Sequence, residues 1–144
     1  MIVFRKARAG DLEVIKGILQ KVELEVDGIE QHIDNFMVVE EESRAIAVGG
    51  LEIYGDVAML KCVAVLPEYR GRGIGDGLVR ALINFAERRG VNTIYTYPGN
   101  ATVFFERFGF AVAEPLDVKG PWTASSILMR LDVNDFFRNI KCRK

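Results

Sequence analysis

The stretch Leu60-Lys-Cys-Val-Ala-Val-Leu-Pro-Glu-Tyr-Arg-Gly-Arg-Gly-Ile-Gly75 decides the fold. Its first half is apolar and β-branched, which predicts a buried strand, and Pro67 ends that strand because proline lacks the N–H that a sheet ladder needs. Three alternating glycines and two arginines follow in the turn 70–75. Apolar residues then recur at helical spacing, at Leu78, Val79, Leu82, Ile83 and Phe85. The sequence therefore predicts a strand, a glycine-rich turn and a helix.

A turn of this kind is suited to binding phosphate. Its glycines let backbone N–H groups point at an anion without a Cβ in the way, and the first turn of the helix adds unpaired donors and the positive end of the helix dipole. Arg70 and Arg72 either add charge-assisted hydrogen bonds or remain solvated surface cations. The turn predicts a phosphate ligand without specifying which phosphate.

Composition limits the possible classes of protein. The chain has 144 residues, 49% of them hydrophobic, which predicts a single folded domain spanning 1–144. The net charge of −1 gives no indication of binding to nucleic acid or to a membrane. Cys62 and Cys142 are the two cysteines, one in a buried strand and one in a charged tail, so we expect no disulfide. Without a signal peptide or membrane span, we expect a cytoplasmic protein.

Periodicity along the rest of the chain predicts a mixed α/β protein in the order β-α-(α)-β-β-β-α-β-α-β-β. Asp11 is the expected N-cap of the first helix, and Gly90 ends the helix that follows the glycine-rich turn. Strands are predicted at 2–5, 36–40, 45–54, 57–66, 91–97, 110–113 and 125–131. Helices are predicted at 12–22, 74–89 and 101–108, with a short one in 23–35 and a last turn capped by Asp132.

Two motifs carry a resemblance to a known family. They are the string from Leu60 to Gly75 and the segment Asn100-Ala-Thr-Val-Phe-Phe-Glu-Arg-Phe-Gly-Phe110. Together they resemble the GNAT superfamily of N-acetyltransferases, and the strand Cys62-Val-Ala-Val65 with the pair Phe104-Phe105 looks most like its amino-acid N-acetyltransferase branch, which includes N-acetylglutamate synthase-type domains. The resemblance implies a GNAT fold, with a mostly antiparallel, twisted sheet of six to seven strands flanked by about four helices.

The resemblance also implies acetyl-CoA as the cofactor, and no metal. The pyrophosphate would lie on the N–H groups of the glycine-rich turn, and the pantetheine arm would pair with the strand before it, like an added strand. The Val63 N–H would donate to the thioester carbonyl and stabilise the oxyanion. Asn100 is either a residue near the thiol or a helix cap. The implied cofactor residues are Val63, Ala64, Val65, Arg70, Gly71, Arg72, Gly73, Ile74, Gly75, Asp76, Asn100 and Phe104.

The sequence departs from the family where proton transfer is expected. Many members carry a glutamate as base where this chain has Met59, and a tyrosine as acid where it has Phe105, which cannot donate a proton. Glu52 acting through a water is the expected substitute base, although an exposed strand residue is the simpler reading of this position. Tyr97 is the expected acid, with Tyr54 and Tyr95 as further candidates.

Three other residues have open roles. By strand parity Lys61 lies on the face of Met59 and Val63, where it could hold a substrate carboxylate or act as a base, or could extend to solvent. Cys62 points to the opposite face, as a buried thiol or, in a ping-pong route, as an acyl carrier. His32 could line the acceptor site or lie on the surface.

The expected function is direct acetyl transfer from acetyl-CoA to the primary amine of a small molecule, such as an amino acid. The absence of the usual base and acid leaves a second possibility, an acetyl-CoA-binding regulatory module without turnover. A protein acetyltransferase acting on lysine or an N-terminus is a third. The acidic segment 23–35 would favour a cationic acceptor, or is simply a solvated face. We expect a monomer or a homodimer.

Overall fold

The computed structural model describes residues 1–114, 118, 120, 122 and 127–142, and within them the chain has seven strands and five α-helices. This is the mixed α/β composition that the sequence predicts. Among the described residues, no helix is long and apolar enough to cross a membrane. The strands are β1 Ile2–Lys6, β2 Phe36–Glu41, β3 Arg44–Tyr54, β4 Val57–Val65, β5 Thr93–Thr96, β6 Ala111–Val112 and β7 Met129–Asp132. The helices are α1 Leu12–Lys21, α2 Ile29–His32, α3 Ile74–Arg88, α4 Thr102–Glu106 and α5 Val133–Cys142.

The first of two compact units contains Met1–Glu52 and Lys61–Phe85. Its strands follow the spatial order β1, β2, β3 and the second half of β4, and β1–β2 and β2–β3 are antiparallel. One core cluster of this unit joins α1, α2, β2 and β3 to the end of β4 through buried side chains that include Ile15, Leu19, Ile29, Phe36, Val38, Val48, Ala64 and Leu66. Burying these side chains supplies most of the unit's stability.

The second unit contains Ile53–Leu60 and Ala86–Lys144. Here the first half of β4 runs parallel to β5, from Val57 beside Thr93 to Leu60 beside Thr96, and β5 runs antiparallel to β7, which pairs with β6. The Thr96 hydroxyl donates to the Leu60 carbonyl at 2.9 Å, which satisfies the buried polar side chain where this pairing ends. The parallel pair lies in an otherwise antiparallel set, so the expected fold class is confirmed.

Several strands are shorter than periodicity predicts, because helix ends use their N–H groups. Gly90 has a φ of +82°, and the N–H of Val91 donates back to Ala86 at 3.0 Å, so Val91 closes α3 and β5 starts at Thr93. Phe110 likewise donates to Phe105 at the end of α4, which leaves β6 only two residues. The expected start of the last strand at 125 lies outside the described residues, and β7 begins at Met129.

Asp132 accepts a hydrogen bond from the N–H of Asp135 at 2.9 Å and caps α5, as predicted. Asp11 occupies the N-cap position of α1, as predicted, but its side chain makes no capping hydrogen bond to that helix. Its carboxylate instead accepts the N–H of Arg8 at 2.7 Å and pairs with the Arg5 guanidinium at 2.8 and 2.9 Å. The Arg5 side chain also binds Glu40 at 3.1 Å, so one arginine joins the first helical turn to strand β2.

The Arg5 pairing lowers the pKa of Asp11 from 3.8 to about 2. A carboxyl group whose pKa is depressed on folding stabilises the protein above its unfolded pKa, and this stabilisation is lost as the pH falls toward the folded pKa. The Asp11 side chain is only 16% exposed, so solvent screens the pair little. The contribution is therefore present at pH 7 and disappears between about pH 4 and pH 2.

We predict that Asp11→Asn lowers the free energy of unfolding by about 2 kcal/mol at pH 7 and by much less near pH 2, because the amide keeps the shape of the side chain but not its charge. Urea unfolding at several pH values measures the difference. Asp27→Asn, at an exposed position, is the control. A loss of stability that does not change with pH would contradict the assigned charge pairing.

Candidate functional site

The glycine-rich turn has the backbone of an anion-binding site. Gly71 and Gly73 have φ values of +80° and +78°, which favour glycine, and a Cβ at either position would meet open space. Helix α3 begins at Ile74, and its first hydrogen bond runs from the Gly77 N–H to the Gly73 carbonyl at 3.1 Å. The N–H groups of residues 74–76 therefore have no acceptor inside the helix and are available to an anion.

The two arginines of the turn have different contacts. Arg72 forms a two-pronged ion pair with Glu41 at 3.0 and 3.1 Å, and its guanidinium lies 5.6 Å from the ring centre of Tyr69. Arg70 donates through Nε to the Val65 carbonyl at 3.1 Å. Both side chains thus brace the turn against the strands of the first unit. Glu41 and Tyr69 were not predicted from the sequence, because these contacts join segments far apart in the chain.

Three predicted cofactor residues, Ile74, Gly75 and Asp76, lie in the first turn of α3. Ile74 is buried, so it anchors the start of the helix in the core. The Asp76 carboxylate pairs with Arg80 one turn further on at 2.8 Å. This pair partly offsets the negative charge of Asp76 beside the N–H groups of the same turn.

Strand β4 is interrupted at Cys62. This residue has a φ of +59°, a left-handed conformation that costs roughly 1–3 kcal/mol for a residue with a side chain. After it the strand alternates regularly, since Cys62, Ala64 and Leu66 pack in the same core cluster. The Val63 side chain instead lies within reach of Gly49 and the α3 residues Leu78 and Leu82. Val65 is half-buried at the end of the strand.

The interruption corrects the predicted direction of Lys61. Its ammonium lies 2.8 Å from Oε2 of Glu52, whose side chain is 15% exposed. Glu52 and Val48 are four residues apart on β3, so their side chains point to the same face of the strand. Val48 and Cys62 pack in the same core cluster, so this is also the face of Cys62. Because Lys61 binds Glu52, Lys61 and Cys62 lie on the same face. Regular alternation along the strand predicts Lys61 and Cys62 on opposite faces. This prediction is wrong because it assumes an extended backbone at Cys62. Glu52 is a half-buried, paired carboxylate and not an exposed strand residue.

The protonation states of Lys61 and Cys62 limit the catalytic roles that these two side chains can have. Burial lowers the pKa of Lys61, but the hydrogen bond and charge of Glu52 outweigh it, so the pKa is raised above the usual value. Lys61 is therefore an ammonium at neutral pH and not a base. Burial raises the pKa of the Cys62 thiol, and its Sγ faces the Glu25 carbonyl at 3.9 Å. A protonated thiol is a poor nucleophile, which disfavours an acyl-cysteine route.

The two positions where the resemblance implies a base and an acid, Met59 and Phe105, are apolar and packed. Met59 is buried in a cluster of the second unit with Val57, Tyr95 and Leu128. Phe105 is also buried, and its ring makes edge-to-face contacts with Phe104 and Phe110 at 5.1 and 5.5 Å. Neither position can take part in proton transfer.

A cavity of about 420 Å³ in the second unit is lined by Tyr97, Gly99, Asn100 and Ile127. Tyr97 lies one residue beyond β5, not within it as predicted, and is exposed. Asn100 is not the cap of α4, because that position belongs to Ala101. Phe104 packs on the rings of Phe105 and Phe108 and under Arg107. In the first unit, His32 is half-buried at the end of α2.

No three histidine, cysteine, aspartate or glutamate side chains of the described residues form a group that could hold a metal ion. Residues 32–112 match the family model described as an acetyltransferase (GNAT) domain. The match contains β2 through β6, and with them the glycine-rich turn, the left-handed Cys62 of β4 and helix α4.

The chain is similar to known acetyltransferases in sequence and in fold. An amino-acid acetyltransferase of Aeromonas salmonicida is 33% identical over 126 residues, which are 79% of this chain and 28% of that protein. N-acetylglutamate synthase from Neisseria gonorrhoeae, complexed with coenzyme A and L-arginine, superposes with a TM-score of 0.79 at 21% identity, over 91% of this chain and 33% of that one. Rv2747 from Mycobacterium tuberculosis, complexed with CoA, superposes with a TM-score of 0.76 at 21% identity, over 90% and 98% of the two chains.

We predict that Cys62 reacts with iodoacetamide at pH 7 more slowly than free cysteine does, and that its rate keeps rising above the ordinary thiol pKa, because burial disfavours the thiolate. The experiment uses a Cys142→Ala background and follows alkylation by mass spectrometry from pH 7 to pH 10. Fast alkylation at pH 7 would contradict the assignment and restore the acyl-cysteine route.

Proposed function

The chain belongs to the GNAT acetyltransferase family, and from this premise we propose that it transfers an acetyl group from acetyl-CoA to the primary amine of a small molecule, in the manner of an amino-acid acetyltransferase. The observation that supports this most directly is the turn that joins β4 to α3. It combines two left-handed glycines with the unpaired N–H groups of a fifteen-residue helix. The chain spans 28% of the length of the Aeromonas relative, so the substrate is inferred from this chain's own residues.

The proposed cofactor site follows the end of β4. The N–H groups of Gly71, Gly73, Ile74, Gly75 and Asp76 hold the pyrophosphate, and the pantetheine arm runs along the backbone from Val63 to Val65. The Val65 carbonyl already accepts a hydrogen bond from Arg70, which fixes the end of the strand beside the turn. Arg72 contributes charge only in part, because Glu41 neutralises it. Asn100 and Phe104 remain sequence predictions for this cofactor.

The proposed reaction is a direct attack in a ternary complex. The amine nitrogen attacks the thioester carbon, a C–N bond forms, and the C–S bond breaks to release the thiolate of CoA. The Val63 N–H donates to the carbonyl oxygen as negative charge develops on it. The backbone there directly follows the left-handed Cys62, and the Val63 side chain lies beside Gly49, as do Leu78 and Leu82 of α3.

Glu52 is the proposed base, and it takes the proton of the acceptor ammonium through a water molecule. A base of this kind must be ionised and shielded from bulk solvent, and the Glu52 side chain is 15% exposed and bonded to an ammonium. Tyr97 is the proposed acid that returns a proton to the thiolate. His32 remains a predicted residue of the acceptor site.

A second candidate function is an acetyl-CoA-binding regulator without turnover. The observation that favours it is the apolar packing of Met59 and Phe105, where many family members carry their base and acid. Free-thiol release, with a panel of amines, α-amino acids and lysine-containing peptides as acceptors, separates the candidates. Acetyl-CoA binding without acceptor-dependent thiol release would favour the regulator. Release with peptides alone would indicate a protein acetyltransferase.

We propose that the protein is a cytoplasmic enzyme that acts on small molecules. It would be a monomer or a homodimer, and it would have no nucleic-acid or membrane partner. The near-neutral charge balance of 19 basic and 20 acidic residues supports the absence of a nucleic-acid partner. Gel filtration with light scattering would determine the oligomeric state.

We predict that Gly73→Asp weakens CoA binding at least 100-fold in calorimetry, because it adds a carboxylate to the proposed pyrophosphate site. Gly55→Asp is a matched control, since Gly55 also has a positive φ, of +64°, and open space around the added Cβ. The two variants should lose similar stability, while Gly55→Asp keeps its CoA affinity. Equal CoA affinities in the two variants would overturn the placement of the cofactor.

We predict that Glu52→Gln lowers kcat/KM at pH 7 by roughly 100-fold or more and leaves CoA affinity unchanged, because the amide cannot take a proton. The assay is thiol release as a function of pH, and Glu30→Gln, which removes a carboxylate from the Lys16 ion pair, is the control. Tyr97→Phe should reduce kcat without changing CoA affinity. Wild-type rates in either variant would exclude that residue from its proposed role.

A further inference from the structure

The Lys61–Glu52 ion pair is an unusual feature of the first unit. Its two side chains are 32% and 15% exposed, so both charges are partly removed from water. Desolvation offsets much of the attraction in such a pair, and two apolar side chains of similar size would serve the sheet at least as well. Packing therefore does not account for the presence of the pair.

The pair also depends on backbone strain. Cys62 holds a φ of +59° within a strand, and this conformation places Lys61 on the face of Glu52. An extended Cys62 would direct the Lys61 side chain to the opposite face, away from Glu52. Strain of this kind persists at positions where the local geometry serves a function. The strained residue directly precedes Val63, the proposed oxyanion donor.

The charges at this position are matched to a particular kind of acceptor. The pair presents one ammonium and one carboxylate 2.8 Å apart, and Lys61 is held in its charged form. An α-amino acid carries the complementary two charges, separated by a single carbon atom. Its carboxylate can bind Lys61 while its ammonium faces Glu52 across the relaying water, so that the four charges alternate in sign.

We infer that the Lys61–Glu52 pair determines acceptor specificity, by binding the carboxylate and the ammonium of a free α-amino acid. The inference rests on the proposed acetyltransferase function. An amine without a carboxylate, a lysine side chain or a peptide N-terminus offers only the ammonium, which must compete with Lys61 for Glu52. The pair therefore selects for free amino acids and against these other acceptors.

The test measures kcat/KM for the best α-amino acid in an acceptor panel, for its α-amide and for the matching amine without the carboxylate. The wild-type protein should prefer the acid by at least 10-fold. Lys61→Met should lose on the order of 10- to 100-fold on the acid and little on the two other acceptors, and Lys61→Arg should recover most of the preference. Lys16→Met, which breaks the ion pair with Glu30, is the matched control.

A charge-swapped double variant, Glu52→Lys with Lys61→Glu, separates binding of the acceptor from a structural role. The swap keeps an ion pair but removes the proposed base, so it is read by binding and not by turnover. A purely structural pair would leave the binding preference for the acid over the amide unchanged, whereas an acceptor-binding pair would lose it. Calorimetric binding of the same amino acid and of its amide to the CoA complex gives a readout that does not need turnover.

Two outcomes overturn the inference. Turnover by the wild type with equal kcat/KM for acid and amide overturns it and leaves the proposed function standing. The inference also fails if Lys61→Met lowers all three rates equally, since Lys61 then only positions Glu52. CoA binding without thiol release from any acceptor overturns the proposed function, and calorimetry of the acid and the amide then decides the inference separately.

Discussion

The left-handed conformation of Cys62 is the constraint on which the rest of the candidate site depends. A strand that alternated without interruption would place Lys61 and Val63 on one face. With a φ of +59° at Cys62, the strand places Lys61 beside Glu52 while Val63 packs toward α3. A charged pair and an inward-facing valine thus lie two residues apart. The energy stored in this residue is compensated by the core, in which Cys62 packs with Ala64 and Leu66.

The glycine-rich turn follows a different principle, since its capacity for anions resides in the backbone. Gly71 and Gly73 adopt positive φ values, and the N–H groups of residues 74–76 have no acceptor within α3. The side chains around the turn brace it, because Arg72 is neutralised by Glu41 and Arg70 donates to Val65. Binding through backbone N–H groups requires no rotamer to be ordered when the ligand arrives.

Sequence reasoning succeeded where the signals are local. The strand, turn and helix around Gly73 and the helix end at Gly90 follow from proline, glycine and apolar spacing, all within a few residues of the element they define. It failed where the determining contact is distant or the backbone departs from ideal geometry. No local pattern pairs Arg72 with Glu41, and strand parity cannot foresee a left-handed Cys62. Hydrophobic periodicity does not predict the shortening of β5, because it depends only on the apolar side chain of Val91. The N–H of Val91 closes the preceding helix, so this residue cannot begin the strand.

Apolar packing of Met59 and Phe105 removes the usual positions for proton transfer, so catalysis under the proposed function depends on Glu52. Glu52 is bound to the Lys61 ammonium at 2.8 Å, so under the proposed function a substrate carboxylate competes with Glu52 for that ammonium. A substrate carboxylate bound at Lys61 would then release Glu52 to take the acceptor's proton. An acceptor without a carboxylate would leave Glu52 paired with Lys61. One charge pair then couples recognition of the acceptor to its deprotonation, and selectivity is expressed in the rate of reaction as well as in binding.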